Sequence, residues 1–301
     1  MADLKGSIVA IVTPMHEDKS VDYDALSRLI EWHIAEGSHG ICVVGTTGES
    51  ATLSMEEHSE VCSFAVAQVG QRIPVIVGAG ANSTSEAIEL TEMARSIGAD
   101  ATLQVAPYYV RPTQEGLYHH FTRIAEAVDI PMVLYNVPAR TGVDIELKTT
   151  LRLAQVSGID GIKDATGSIE RASEILRQRP KGFQLYSGDD ATAAALMLLG
   201  GEGVISVTAN VAPRYMAQLC DHALSGDAQA AARMHLQLMP LHTTLFIESS
   251  PAPTKWALSK LDLIEPHCRL PLLCLSEPAR PLLFLAMQEA RLLIPSMILP
   301  K

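Results

Sequence analysis

The stretch Gly40–Val61 reads "GICVVGTTGESATLSMEEHSEV". It opens on an apolar run, "GICVV" (Gly40–Val44), of the kind that fills a buried strand. A glycine- and threonine-rich turn follows, "GTTGES" (Gly45–Ser50). Ser54 is then followed by Glu57, the capping-box spacing that opens a helix. One strand, one loop and one helix therefore lie in a single short stretch.

The same unit recurs along the chain. The further candidate strands are "SIVAIV" (Ser7–Val12), "PVIVG" (Pro74–Gly78), "ATLQV" (Ala101–Val105) and "PMVLY" (Pro131–Tyr135). After them come "GIDGIK" (Gly158–Lys163), "FQLYS" (Phe183–Ser187) and "GVISV" (Gly203–Val207). They are rich in Val and Ile and bounded by Gly, Pro and polar residues, as buried parallel strands are. A helix-like segment follows each. Ser83 with Glu86 predicts a second capping box, and "IGAD" (Ile97–Asp100) supplies a glycine stop before the fourth strand. Eight strand–helix units predict an α/β fold, a (β/α)8 TIM barrel.

The runner-up, a doubly wound open sheet binding a dinucleotide, would place G-x-G-x-x-G after the first strand. That place holds "TPMHED". "GAGANS" (Gly78–Ser83) has two of the glycines but follows the third strand, and reads as a tight loop. The strand pattern stops near residue 225. The chain is thus expected to divide into a catalytic barrel, 1–225, and a C-terminal helical region, 226–301, too small to be a separate enzyme. The apolar end, "LLIPSMILPK", is open to packing on the body or on a partner subunit.

Composition excludes several classes. With 301 residues, 48% apolar and 19% charged, the chain is globular. A net charge of -11 makes nucleic acid and anionic membrane poor partners. The longest stretch free of Asp, Glu, Lys and Arg, Met234–Ile247, is shorter than the roughly 18 apolar residues that a spanning helix requires. The N-terminus carries no signal-like pattern. Cys42, Cys62, Cys220, Cys268 and Cys274 form no C-x-x-C pair and read as buried free thiols of a reducing compartment. The expectation is a soluble, cytoplasmic protein.

In such a barrel the chemistry lies at the C-terminal ends of the strands. The unusual residues fall there: Thr13, "GTTGES", Tyr108 and Tyr109, "YNVPARTG" (Tyr135–Gly142), Lys163 and "SGDD" (Ser187–Asp190). A lone strand-end lysine reads most simply as a buried stem with its ammonium reaching water. At a barrel mouth, burial disfavours the ammonium, and a neutral amine attacks a carbonyl to form a Schiff base. Tyr135, one strand away, is either a satisfied core tyrosine or a proton donor and acceptor for that amine. Thr46 and Thr47 are turn residues, or hydroxyls beside glycine-freed N–H groups that hold a carboxylate. Arg140 is an exposed salt-bridge partner, or a planar fork for a second carboxylate. The ten histidines include no H-E-x-x-H and no zinc spacing, so no metal is predicted. His119 and His120 are expected at the surface of a helix.

"GTTGES", "PYY", "YNVPARTG", "GIKDATG" and "SGDD" occur in that order. Together they resemble the 4-hydroxy-tetrahydrodipicolinate synthase family, over nearly the whole chain. The resemblance implies condensation of pyruvate with L-aspartate 4-semialdehyde, without an organic cofactor, by a homotetramer built as a dimer of dimers. It implies that Lys163 forms the imine and that Tyr135, Thr47 and Tyr109 relay protons, with Tyr109 serving the neighbouring subunit. Thr46 and Thr47 would bind the pyruvate carboxylate, Arg140 the semialdehyde carboxylate, and Gly188 and Ile205 would line the site. A lysine-binding allosteric site would comprise Ser50, Ala51, His58, Asn82, Glu86 and Tyr108.

Val110, Asp164 and Met55 depart from the family's usual asparagine, glutamate and histidine. Methionine lacks the polar contact, so weak or absent inhibition by lysine is expected. The near rivals are sister Schiff-base lyases, N-acetylneuraminate lyase or a 2-keto-3-deoxy-sugar-acid aldolase. The second threonine of "GTTGE", the "ARTG" arginine and the "PYY" pair favour the synthase. A non-catalytic binding barrel would have lost rim residues, and none of those named is missing.

Overall fold

The computed structural model describes residues 4–292. Eight parallel strands close into a barrel in chain order: β1 (Gly6–Ala10), β2 (Gly40–Val43), β3 (Val75–Gly78), β4 (Ala101–Val105), β5 (Met132–Asn136), β6 (Ile159–Asp164), β7 (Gln184–Ser187) and β8 (Gly203–Ser206). Ile8 of β1 pairs with Gly40 on one side and Ile205 on the other, and this closes the ring. The strands lie where the apolar runs predicted. β5 and β6 each run one residue further, taking Asn136 and Asp164 into the ladder.

Side chains alternate across each strand. One set, including Ile8, Cys42, Ile76, Leu103, Val133, Tyr135, Tyr186 and Ile205, packs inside the barrel. The alternate set, including Val9, Ile41, Val77, Leu134 and Ile162, packs outward against the helices. Inside, the Tyr186 hydroxyl donates to the Leu4 carbonyl at 2.8 Å, tying the barrel core to the N-terminal segment.

The helices are α1 (Tyr23–Ala35), α2 (Met55–Val69), α3 (Thr84–Ser96), α4 (Gln114–Ala127), α5 (Pro138–Thr141), α6 (Leu147–Leu153), α7 (Ile169–Gln178), α8 (Asp190–Leu198), α9 (Pro213–Leu224), α10 (Ala228–Thr244), α11 (Ala252–Lys260) and α12 (Arg280–Glu289). The capping box at Ser54 and Glu57 is complete. Ser83 does cap α3 by position, but its side chain bonds Ser85 Oγ at 2.9 Å instead of a backbone N–H. Glu86 lines a cavity and is not drawn back to the cap. Gly98 ends α3 at φ +80°, as "IGAD" predicted.

Besides the capping box at Ser83, two further expectations fail. His120 is buried, 7% exposed, whereas His119 is at the surface. The apolar face of α4 is Leu117, Phe121 and Ile124, and His120 shares it by helical spacing, with Nδ1 2.9 Å from Thr84 Oγ1. Cys274 is exposed, while the other four cysteines are buried and all five are free.

α10 packs on α8 and α9, and α12 packs on α10. Leu238, Leu241, Trp256, Leu258 and Leu283 belong to the same apolar cluster as α1, α2 and β2. The C-terminal helices therefore share the barrel's core. No described helix is long and apolar enough to cross a membrane. The apolar end from residue 293 lies outside the described residues.

Candidate active site

A 240 Å³ cavity opens at the C-terminal end of the barrel. Small residues make room for it: Ala10, Cys42, Gly45, Ala165 and Gly188 all line its wall. Lys163, Tyr135, Thr46, Thr47 and Arg140 line it too. These residues come from the ends of different strands, so the closed sheet is what brings them together.

Lys163 and Tyr135 are register partners on β6 and β5. Both side chains point inward, and Lys163 Nζ lies 4.2 Å from the centre of the Tyr135 ring. Lys163 is 5% exposed and, among the described residues, has no carboxylate within 4.0 Å. Its neighbour Asp164 points the other way. There Asp164 Oδ2 accepts from Arg171 Nε at 2.7 Å and from Asn136 Nδ2 at 3.3 Å. Arg171 also pairs with Asp144, and Asn136 Nδ2 donates to Asp144 Oδ1 at 2.7 Å. The alternation of one strand thus separates a paired carboxylate outside from an unpaired amine inside.

Gly188 supplies space. A Cβ there would lie 2.6 Å from Ala165 Cβ and 2.9 Å from Lys163 Cε. Burial pushes the Cys42 thiol up to about 11, against the opposing pull of the nearby Lys163. Cys42 is therefore an inert wall residue at neutral pH.

Arg140 sits on the one-turn α5, which opens on Pro138 and closes on Gly142 at φ +73°. It is exposed and lines both this cavity and a second, 670 Å³ cavity beside it. Thr46 likewise lines both. The second cavity holds Ser50, Ala51, His58, Glu86 and Tyr108, with Met55. Asn82 is not in its wall. Burial, and then the Glu86 carboxylate, hold the Tyr108 phenol above its ordinary range.

Two predicted site residues lie outside the cavity wall. Ile205 is buried in the barrel core, and Val207, two residues on, lines the cavity instead. Tyr109 projects away from its own barrel, 88% exposed, from a backbone at φ +72°. Its N–H donates to the Thr141 carbonyl at 3.2 Å.

The sequence reading missed Phe246 and Ser250, which close the cavity from beyond α10. It also passed over Glu49 of "GTTGES". Glu49 is buried and forms an ion pair with Lys255, and its Oε2 accepts from the Arg269 N–H at 3.0 Å. A charged residue inside a glycine–threonine turn was the available signal.

The profile of the dihydrodipicolinate synthetase family matches residues 3–290. The 4-hydroxy-tetrahydrodipicolinate synthase of Methylibium petroleiphilum is 60% identical over 97% of this chain and 100% of its own length. Two solved structures share the fold closely. The chloride-inhibited dihydrodipicolinate synthase of Acinetobacter baumannii, complexed with pyruvate, is 52% identical at a TM-score of 0.95, over 96% of this chain and 99% of that one. The Cyanidioschyzon merolae enzyme, with lysine bound, is 39% identical at 0.93, over 97% and 100%. With its closed barrel, its rim lysine and tyrosine, and this extent of likeness, the chain belongs to the dihydrodipicolinate synthetase family.

Proposed function

We propose that this chain condenses pyruvate with L-aspartate 4-semialdehyde to 4-hydroxy-tetrahydrodipicolinate, through a Schiff base on Lys163. The observation that carries the reading is one buried lysine, unpaired by any carboxylate among the described residues, in a cavity shared with Tyr135, two threonines and an arginine. The other wholly buried lysine, Lys255, is ion-paired to Glu49 and donates to the His267 carbonyl at 2.7 Å. Both contacts occupy the Lys255 ammonium and leave it no open space in which to meet a substrate. Lys163 has no such restraint.

The Lys163 amine attacks the keto carbon of pyruvate, and water leaves as the imine forms. The imine eases loss of a methyl proton, because the enamine so formed is neutral where an enolate would be charged. Tyr135 takes and returns protons, with Thr47 and the neighbouring subunit's Tyr109 completing the relay. The enamine carbon attacks the aldehyde carbon. The amino group of the semialdehyde then displaces the Lys163 amine, which closes the ring and frees the enzyme. Thr46 and Thr47 hold the pyruvate carboxylate. Arg140, exposed at the mouth, holds that of the semialdehyde. The exposure of Tyr109 supports its service to a second copy, which is the dimer unit of the proposed tetramer. The free thiols support a reducing, cytoplasmic setting.

The second cavity is the place for a lysine effector. Met55, about half exposed there, offers only a thioether. Weak inhibition is expected, and strong inhibition at sub-millimolar lysine would oppose it.

The test is turnover of pyruvate with the semialdehyde, coupled to the next reductase and followed as NADPH loss. Lys163→Ala should lose both turnover and the borohydride-trapped pyruvate adduct while keeping its circular dichroism spectrum. Normal turnover by that variant would overturn the mechanism. A folded wild-type protein that ignores the semialdehyde would point to the sister lyases.

A further inference from the structure

We infer that Glu49 and Lys255 are positioning residues: their buried ion pair fixes the Gly45–Ser50 loop so that Thr46 and Thr47 meet a keto-acid carboxylate. This rests on the reading of that loop as the carboxylate site.

Both side chains are wholly removed from solvent. Desolvating two charges costs so much that well-packed apolar residues would serve stability as well or better. Stability is therefore a poor reason for the pair, and geometry is a good one.

The loop is strained at both ends. Val44 enters it at φ +50° and Glu49 leaves it at φ +60°, left-handed positions that a β-branched residue and a glutamate seldom adopt. Within the loop, the backbone hydrogen bonds are Glu49 N–H to Thr46 O at 3.1 Å and Ser50 N–H to Gly45 O at 3.4 Å. Two such bonds are a thin restraint on strained backbone, and the rest comes from outside. The Thr13 hydroxyl donates to the Gly48 carbonyl at 2.7 Å. A Cβ on Gly78 would strike the Val44 carbonyl oxygen, so β3 packs directly beneath the entry.

The remaining restraint arrives from the C-terminal region. Lys255, on α11, pairs with Glu49 and donates to His267 O, which fixes its own direction. Arg269, two residues beyond His267, gives its N–H to Glu49 Oε2. Its guanidinium donates to Lys19 O and Thr52 O and forks onto Glu57, at 2.6 Å to each oxygen. Glu49 is thus the point where the C-terminal region grips the loop, two residues from Thr47.

The experiment compares the wild type with the double variant Glu49→Gln/Lys255→Met and with Glu49→Gln alone. The double variant removes both charges, so no orphaned charge is left buried. Pyruvate half-saturation is read from the borohydride-trapped adduct by mass spectrometry, and KM for the semialdehyde from turnover. Pyruvate half-saturation should rise about tenfold to hundredfold, as expected for a carboxylate site displaced by a fraction of an ångström. KM for the semialdehyde should move much less; the thermal midpoint of the double variant should stay near wild type, whereas Glu49→Gln alone, which leaves Lys255 buried without its partner, should lower it. A folded variant with unchanged pyruvate half-saturation overturns the inference. So does failure of both variants to regain a wild-type circular dichroism spectrum, because the pair would then serve folding. A wild type that traps no pyruvate would instead refute the Schiff-base reading itself.

Discussion

Two lysines of this chain are buried within the described residues, and their surroundings set them apart. Lys255 is neutralised by Glu49, whereas Lys163 faces an aromatic ring and small residues. In the proposed mechanism, the reactivity of Lys163 follows from the missing partner. At this scale Tyr135→Phe keeps the ring beside Lys163 and removes only the proton carrier. Turnover should fall about 10²–10⁴-fold, while stopped-flow borohydride trapping still yields the pyruvate adduct. Gly188→Ala tests space. The new methyl would press on Ala165 and on Lys163 Cε. Overpacking of this kind costs about 1–3 kcal/mol. A lowered thermal midpoint and slower imine formation are expected, and an unchanged trapping rate would show that Lys163 moves aside freely.

At the scale of elements, α2 is joined to the C-terminal region by one carboxylate. Glu57 closes the capping box, accepting from the Ser54 N–H at 2.9 Å, and also receives both arms of Arg269. The Arg269 guanidinium, chiefly, holds the Glu57 carboxyl down at about 2, against an ordinary 4.5. A carboxylate depressed by folding adds stability that is complete above its unfolded pKa. That stability fades as pH falls from about 4.5 towards 2. Since Glu57 is partly exposed, the contribution is on the order of 2 kcal/mol. Denaturant titrations between pH 5 and 3 should therefore show a shallower loss for Glu57→Gln than for the wild type; parallel slopes would deny the link. α4 carries the matching lesson for histidine. The doublet His119–His120 looks polar as a pair, but a helix turns about 100° per residue, so one imidazole faces water and the other the core.

For the whole molecule, Tyr109 is the residue that a single chain does not explain. A large aromatic side chain is held out into solvent on left-handed backbone, outside its own cavity. If it serves the neighbouring site, two defective proteins should mend each other. Lys163→Ala and Tyr109→Phe homo-oligomers, each nearly inactive, should recover activity when unfolded together and reassembled. Mixed pairs then contain one site with Lys163 and its neighbour's Tyr109. No recovery, with mixed assembly verified by native mass spectrometry, would place Tyr109 outside the relay. Sedimentation velocity on the wild type checks the expected tetramer directly.

Much of this was legible in the chain. The alternation of apolar runs with capped helices marked all eight strands to within a residue or two at their ends, and hence the rim where Lys163, Tyr135, Thr46, Thr47 and Arg140 gather. Periodicity and turn chemistry depend on near neighbours in sequence, so a sequence carries them openly. Only the tertiary structure decided which buried lysine is paired, that Ile205 lies below the cavity while Val207 lines it, and that His120 turns inward. It alone joined Glu49 to Lys255 and Arg269, far along the chain. Burial and charge pairing are set by groups brought close in space, and separation along the chain holds no record of that distance.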